Sequence, residues 1–164
     1  VCLGGQLLAG ALGGKVGRHS SGAIEVGYYP ITSTDEGRSL FEPQMHAFQW
    51  HRDGFEVPAG GVLLAEGETF ECQAFRYGDN AYGIQFHPEL TPATMTKWST
   101  HAHGRGIAGI PPTDHIQKFQ RRYEPALRRW LDRFLDNWIG TGNSKSADRS
   151  AVRPRGANVG GPKV

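Results

Sequence analysis

Two short stretches hold residues able to do covalent chemistry together: VCLGGQ at residues 1–6 and GIQFHPE at residues 83–89. In the first, Cys2 stands just ahead of residues 5–12 (GQLLAGAL), which read as a short helix ended by Gly13 and Gly14. A sulfur at a helix N-terminus faces the positive end of the helix dipole, which favours its anionic, nucleophilic form. Gly4 and Gly5 would permit the sharp strand-to-helix turn of a nucleophile elbow. Taken alone, Cys2 also fits a small buried apolar side chain. In the second stretch, His87 closes an extended segment and is followed by Pro88 and Glu89. The rigid proline can aim the carboxylate at the imidazole and so fix its tautomer. Alone, His87 would read as a polar residue at a strand end. Cysteine, histidine and carboxylate together are the parts of an activated-nucleophile triad.

Other reactive residue types have plainer readings. His101 and His103 have the spacing of a metal pair, but no Cys, Asp or Glu cluster stands beside them, so a surface loop is expected. Cys72, in FECQAFRY, reads as a buried thiol on a strand. His51 and Asp53 fit a strand-end turn. Trp50, Trp98, Trp130 and Trp138 suit a core or a pocket wall better than a stacking platform for bases.

These residues need elements to hold them. Residues 23–32, 45–51 and 61–65 read as strands, with Pro30 marking a strand end or an edge. Residues 70–77 and 81–87 flank Gly78-Asp79-Asn80 and form the clearest hairpin. Thr91 and Pro92 start a helix as N-cap and first helical residue. Ile116, Phe119, Tyr123, Leu127, Trp130, Phe134 and Trp138 recur at steps of three and four, predicting an amphipathic helix broken or kinked at Pro125. Arginines 121, 122, 128, 129 and 133 fall on its solvent face. Residues 140–164 lack aromatics and are rich in Gly, Ser, Pro and Arg, so a disordered tail is expected.

Composition narrows the classes further. The 164 residues are 38% hydrophobic and 21% charged, enough for one domain with a core. A formal net charge of +2 gives no reason to expect nucleic acid or a membrane as partner. Two cysteines cannot build a disulfide framework, which fits a reducing, cytoplasmic compartment.

VCLGGQLLA together with GIQFHPE resembles the class I (triad) glutamine amidotransferase family. QWHRDGFEVP resembles that family's histidine/aspartate loop segment, and CQAFRYG the stretch before its catalytic strand. The resemblance covers residues 1–89. WLDRFLDNW looks like the C-terminal extension of free-standing bacterial members, the type resembling the glutaminase domain of GMP synthase. The resemblance implies an α/β, flavodoxin-like/Rossmann-like class I glutamine amidotransferase fold, a mixed sheet flanked by helices. Residues 1–139 would be the C-terminal part of that domain, with a helical extension at about 113–139. It implies Cys2 as nucleophile, His87 as general base and acid, and Glu89 as the orienting carboxylate. Gln6 matches the elbow glutamine that helps bind substrate, and the Leu3 amide matches an oxyanion donor. Gln49, Trp50 and His51 would also bind substrate, and by the same resemblance His51 and Asp53 would mark the substrate pocket, with the strand-end turn as the alternative. The implied reaction hydrolyses the side chain of L-glutamine to glutamate and ammonia without a cofactor, the ammonia passing to a partner synthase or another acceptor substrate. A γ-glutamyl hydrolase of the same fold and a non-catalytic regulatory module are the alternatives.

In that family βα units precede the elbow. At about 30 residues per βαβ unit, roughly 60 to 90 residues would be missing before Val1. The expectation is therefore an artificial start, with the 164-residue chain on its own insoluble or molten and inactive.

Overall fold

Along residues 44–51 (QMHAFQWH) every second side chain, Met45, Ala47, Gln49 and His51, is buried. The strand period of two puts them on one face, and that face changes from apolar to polar toward the C-terminal end. The alternate residues His46, Phe48 and Trp50 meet aromatic neighbours: Tyr123, Tyr28 and Trp98 respectively. One strand thus carries both the helix-facing core and a polar interior.

The computed structural model describes residues 1–144. The chain runs α1 (Leu3–Ala11), β1 (Val16–Arg18), β2 (Glu25–Ser33), β3 (Gln44–His51), β4 (Asp53–Phe55), β5 (Gly61–Gly67), β6 (Cys72–Tyr77), β7 (Ala81–Ile84), α2 (Pro92–Gly104) and α3 (Thr113–Ser144). Five strands form one sheet in the order β3-β2-β5-β6-β7, and β1 pairs with β4 in a two-stranded sheet. The fold is α/β, a curled antiparallel sheet flanked by helices. A mixed sheet was expected, yet every described strand pair is antiparallel. The reason lies in the connections: a parallel pair needs a crossover of a dozen or more residues, and no helix lies between β2 and β7.

The expected hairpin is β6–β7, with Tyr77 opposite Ala81 and Gly78 at φ 59° in the left-handed region. Pro30 sits within β2, where pairing with β5 is limited to Ile31–Ser33, so its missing N–H leaves no gap on that side. The curl nearly closes the sheet. The His87 amide, just beyond β7, donates to the Phe48 carbonyl of β3 at 2.8 Å, joining the two ends of the strand order.

Thr91 caps α2 as expected, its hydroxyl accepting from the Thr94 amide at 3.3 Å. Helix α3 runs through Pro125 without the break that was one of the two expectations there. Proline removes one backbone hydrogen bond, while Ile116 on one side and Leu127, Trp130 and Phe134 on the other are all buried and hold both halves in place. Trp130 also donates from Nε1 to the Leu40 carbonyl at 2.8 Å. The helix continues to Ser144, so residues 140–144 of the expected tail are helical. The rest of that tail, 145–164, lies outside the described residues. Among the described residues no helix is long and apolar enough to cross a membrane.

Candidate active site

The elbow is built from a strained residue and a close approach. Cys2, at the N-cap of α1, has φ 45° and ψ −108° and is the one non-glycine with positive φ among the described residues. Such a conformation costs about 1–3 kcal/mol and persists only where its surroundings over-determine it. Here the Cys2 amide donates to the Ile84 carbonyl at 2.6 Å, and the Cys2 carbonyl accepts from Gln6 at 2.9 Å. Gly5 allows the fit, since a Cβ there would stand 2.9 Å from the Ile84 carbonyl oxygen and 3.3 Å from the Phe55 ring. Cys2 is half-buried, while Cys72 is buried on β6, where burial pushes its thiol up to about 12.

His87 is held on several sides. Its Nδ1 lies 2.7 Å from Glu89 Oε1, which leaves Nε2 for the Cys2 sulfur. Trp98 of α2 meets the ring edge-on, with centroids 5.5 Å apart. Burial pulls the imidazole pKa down, but the Cys2 thiol and then Glu89 more than offset this, raising it to about 9. Burial likewise opposes ionisation of Glu89, yet its hydrogen bond with His87 keeps the carboxyl below its ordinary value. Cys2, His87 and Glu89 therefore converge, as the triad reading requires.

A buried polar network backs the site. Gln85 Nε2 donates to Cys2 Sγ at 3.7 Å, and Gln85 Oε1 lies 3.4 Å from Gln6 Nε2. Gln6 Nε2 donates to the Asp53 carbonyl at 2.8 Å, an oxygen that His51 Nδ1 also meets at 3.1 Å. The other His51 nitrogen lies 3.0 Å from Gln49 Oε1 and 3.2 Å from Glu25 Oε2. Gln49 donates to Gln73 at 2.7 Å, and Gln73 reaches Glu25 at 3.5 Å. Among the described residues, no buried side-chain nitrogen or oxygen lacks a hydrogen-bond partner.

Beside Cys2 opens a cleft of about 340 Å³, within the size range of small-molecule sites. Cys2, Gln6, Trp50, His51 and Asp53 line it, and His51 and Asp53 also flank the turn from β3 to β4. Gln49 lies fully buried and out of the lining, bonded to Gln73 and His51. The Leu3 side chain is exposed, and its amide belongs to the first turn of α1, where helix N–H groups have no intrahelical partner. His101 is exposed on α2, and His103 reaches Ser99 and the Ile110 carbonyl. Sequence reasoning missed Gln85, Glu25 and Gln73. Gln85 could have been found from GIQFHPE, since it stands two residues before His87. Glu25 had a signal too, as a carboxylate inside the apolar run AIEVGYYPIT.

The comparisons give the lineage of this sheet, elbow and cleft. The family model for glutamine amidotransferase class-I matches residues 1–100, and the chain belongs to that family. It is 36% identical over 94 residues to one of the subunits of the glutamine-hydrolyzing GMP synthase of Sulfolobus acidocaldarius, covering 55% of this chain and 49% of that protein. It is 29% identical over 156 residues to the GMP synthase of Vibrio vulnificus, covering 93% of this chain and 29% of that one. The crystal structure of a glutamine amidotransferase from Thermotoga maritima matches with a TM-score of 0.75 at 29% identity, over 84% of this chain and 60% of the other. One from Methylobacillus flagellatus matches with a TM-score of 0.74 at 26% identity, over 85% and 60%. The chain thus spans half or less of the length of these curated relatives.

Proposed function

We propose that this chain carries the glutamine-hydrolysing site of a class I amidotransferase, with Cys2, His87 and Glu89 acting as one unit. The observation that carries the reading is the placement of His87 between the Cys2 thiol and the Glu89 carboxylate. The Cys2 thiolate attacks the side-chain amide carbon of glutamine, and the carbonyl electrons move onto oxygen. The Leu3 amide donates to that oxyanion, an interaction worth about 2.7–4 kcal/mol per donor in acyl transfer. The His87 proton passes to the amide nitrogen, the C–N bond breaks, and ammonia leaves a γ-glutamyl thioester. Neutral His87 then takes a proton from water. The resulting hydroxide adds to the thioester, and collapse expels the thiolate and releases glutamate. Glu89 keeps the ring oriented throughout. GMP synthases among the relatives support a synthase as the acceptor of the ammonia.

The test is glutamine hydrolysis by the full-length gene product. Release of glutamate and ammonia that is lost in Cys2→Ala and falls by at least 100-fold in His87→Asn is expected. Turnover that survives Cys2→Ala would overturn the reading.

A further inference from the structure

Gln85 is not a member of the triad, yet its side chain touches the nucleophile. It stands just past the end of β7 at Ile84, and its amide donates to the Gln73 carbonyl of β6 at 2.9 Å, which fixes its backbone. The side chain is fully buried. Its Nε2 lies 3.7 Å from Cys2 Sγ, and its Oε1 lies 3.4 Å from Gln6 Nε2.

Which end of this carboxamide meets the sulfur follows from the groups beyond it. The Asp53 carbonyl can only accept, so the group that Gln6 turns to it at 2.8 Å is the NH2. That NH2 has a second hydrogen, and the Gln85 atom beside it must be the acceptor, the carbonyl oxygen. The NH2 of Gln85 is then the end that faces Cys2. The reverse orientation would set two NH2 groups against each other and leave buried donors unpaired, which is costly. A backbone carbonyl on β4 thus sets the polarity of the side chain at the sulfur. An N–H donor suits a thiolate, and hydrogen bonds to an ionised partner are roughly twice as strong as neutral ones.

We propose that Gln85 is a further catalytic residue, whose side-chain N–H stabilises negative charge on the Cys2 sulfur. It does so in the attacking thiolate, and again when the C–S bond of the thioester breaks and its electron pair returns to sulfur. The inference rests on the glutamine-hydrolase reading and deepens it. Gln85 gives up no proton in the reaction, so the donor is present at both steps. Among the described residues, His87 faces the sulfur with Glu89 behind it, and His51, Arg52 and Asp53 share the cleft.

The experiment measures the pH profile of Cys2 alkylation by iodoacetamide in the full-length gene product, together with kcat and KM for glutamine. Gln85→Met fills the same volume without a donor, and Gln85→Asn keeps a carboxamide that is one methylene short of the sulfur. Both should move the midpoint of the profile up by about one pH unit and lower kcat by about 10-fold, the size expected for a hydrogen bond to a charged group. KM should stay within three-fold, and the plateau rate at high pH, where the thiol is ionised in every variant, within two-fold. A midpoint that stays in place in both variants while moving in His87→Asn overturns the role of Gln85 and leaves the triad reading standing. A change confined to the plateau rate also overturns it, because the side chain would then only shape access to the sulfur. A midpoint unmoved by His87→Asn overturns the triad reading, and this proposal with it.

Discussion

Cys2 combines a strained backbone with two committed backbone groups, and the strain has a measurable consequence. Glycine adopts φ 45° without the steric cost that a side chain brings. Cys2→Gly should therefore relieve about 1–3 kcal/mol of backbone strain, a gain visible above pH 9 where His87 no longer contributes through its proton, while abolishing reaction with thiol reagents at this position. A denaturation midpoint that falls in this variant above pH 9 would mean the turn is not strained. His87 sets the pH dependence. Its folded pKa is about 9 against an ordinary value of 6.5, so its contribution to stability is complete below 6.5 and is lost as the pH rises through about 9. Glu89 works in the opposite sense, stabilising above its ordinary value and losing that contribution as the pH falls. The stability difference between wild type and His87→Asn should accordingly shrink between pH 6.5 and 9, by on the order of 2 kcal/mol. A difference that stays flat across this window would show that the imidazole proton is not held by the folded site.

At the scale of elements, the site depends on α1 lying against the end of β7. Gly5 is the contact point. Gly5→Ala would place a methyl 2.9 Å from the Ile84 carbonyl oxygen and 3.1 Å from the Ile84 nitrogen, backbone atoms that cannot swing away. Such overpacking should cost about 1–3 kcal/mol and lift the elbow off β7, slowing alkylation of Cys2. A variant that matches wild type in melting temperature and Cys2 reactivity would show that the close approach is dispensable. How far these elements were legible depended on the range of the signal. The β6–β7 hairpin and the caps of α1 and α2 follow from local turn and capping chemistry, so glycine, threonine and proline announced them. Strands β1 and β4 have three residues each, too few for an alternating pattern to register. GIQFHPE looked like a strand reaching His87, whereas β7 stops at Ile84; the Gln85 amide still donates to Gln73 of β6 at 2.9 Å, and the next bond, from the His87 amide, goes to Phe48 of β3. That curl is a long-range pairing without local sequence signature. Hidden with it was the Glu25–His51–Gln49–Gln73 network, whose members stand on three different strands.

Across the whole molecule, curling of the sheet brings together residues that strand order would separate. Cys2 and Gln85 belong to the β7 end and His51 to the β3 end, yet Gln6 and His51 meet on one carbonyl oxygen. Outside the site, α1 turns Leu3 and Leu7 to the surface at 64% and 65% exposure, adjacent on one helical face. The long helix α3, by contrast, is anchored on β2 and β3 and supports Tyr28 and His46 from behind. On the proposed reading, this assembly makes Cys2, and not the buried Cys72, the covalent nucleophile. The direct measurement is peptide mass spectrometry of the full-length gene product, acid-quenched during incubation with glutamine. The expected result is a γ-glutamyl adduct on the peptide containing Cys2, none on the peptide containing Cys72, and at least 10-fold less adduct in His87→Asn. Glutamine turnover with an adduct on Cys72, or with none on Cys2 under conditions that trap thioesters, would contradict it.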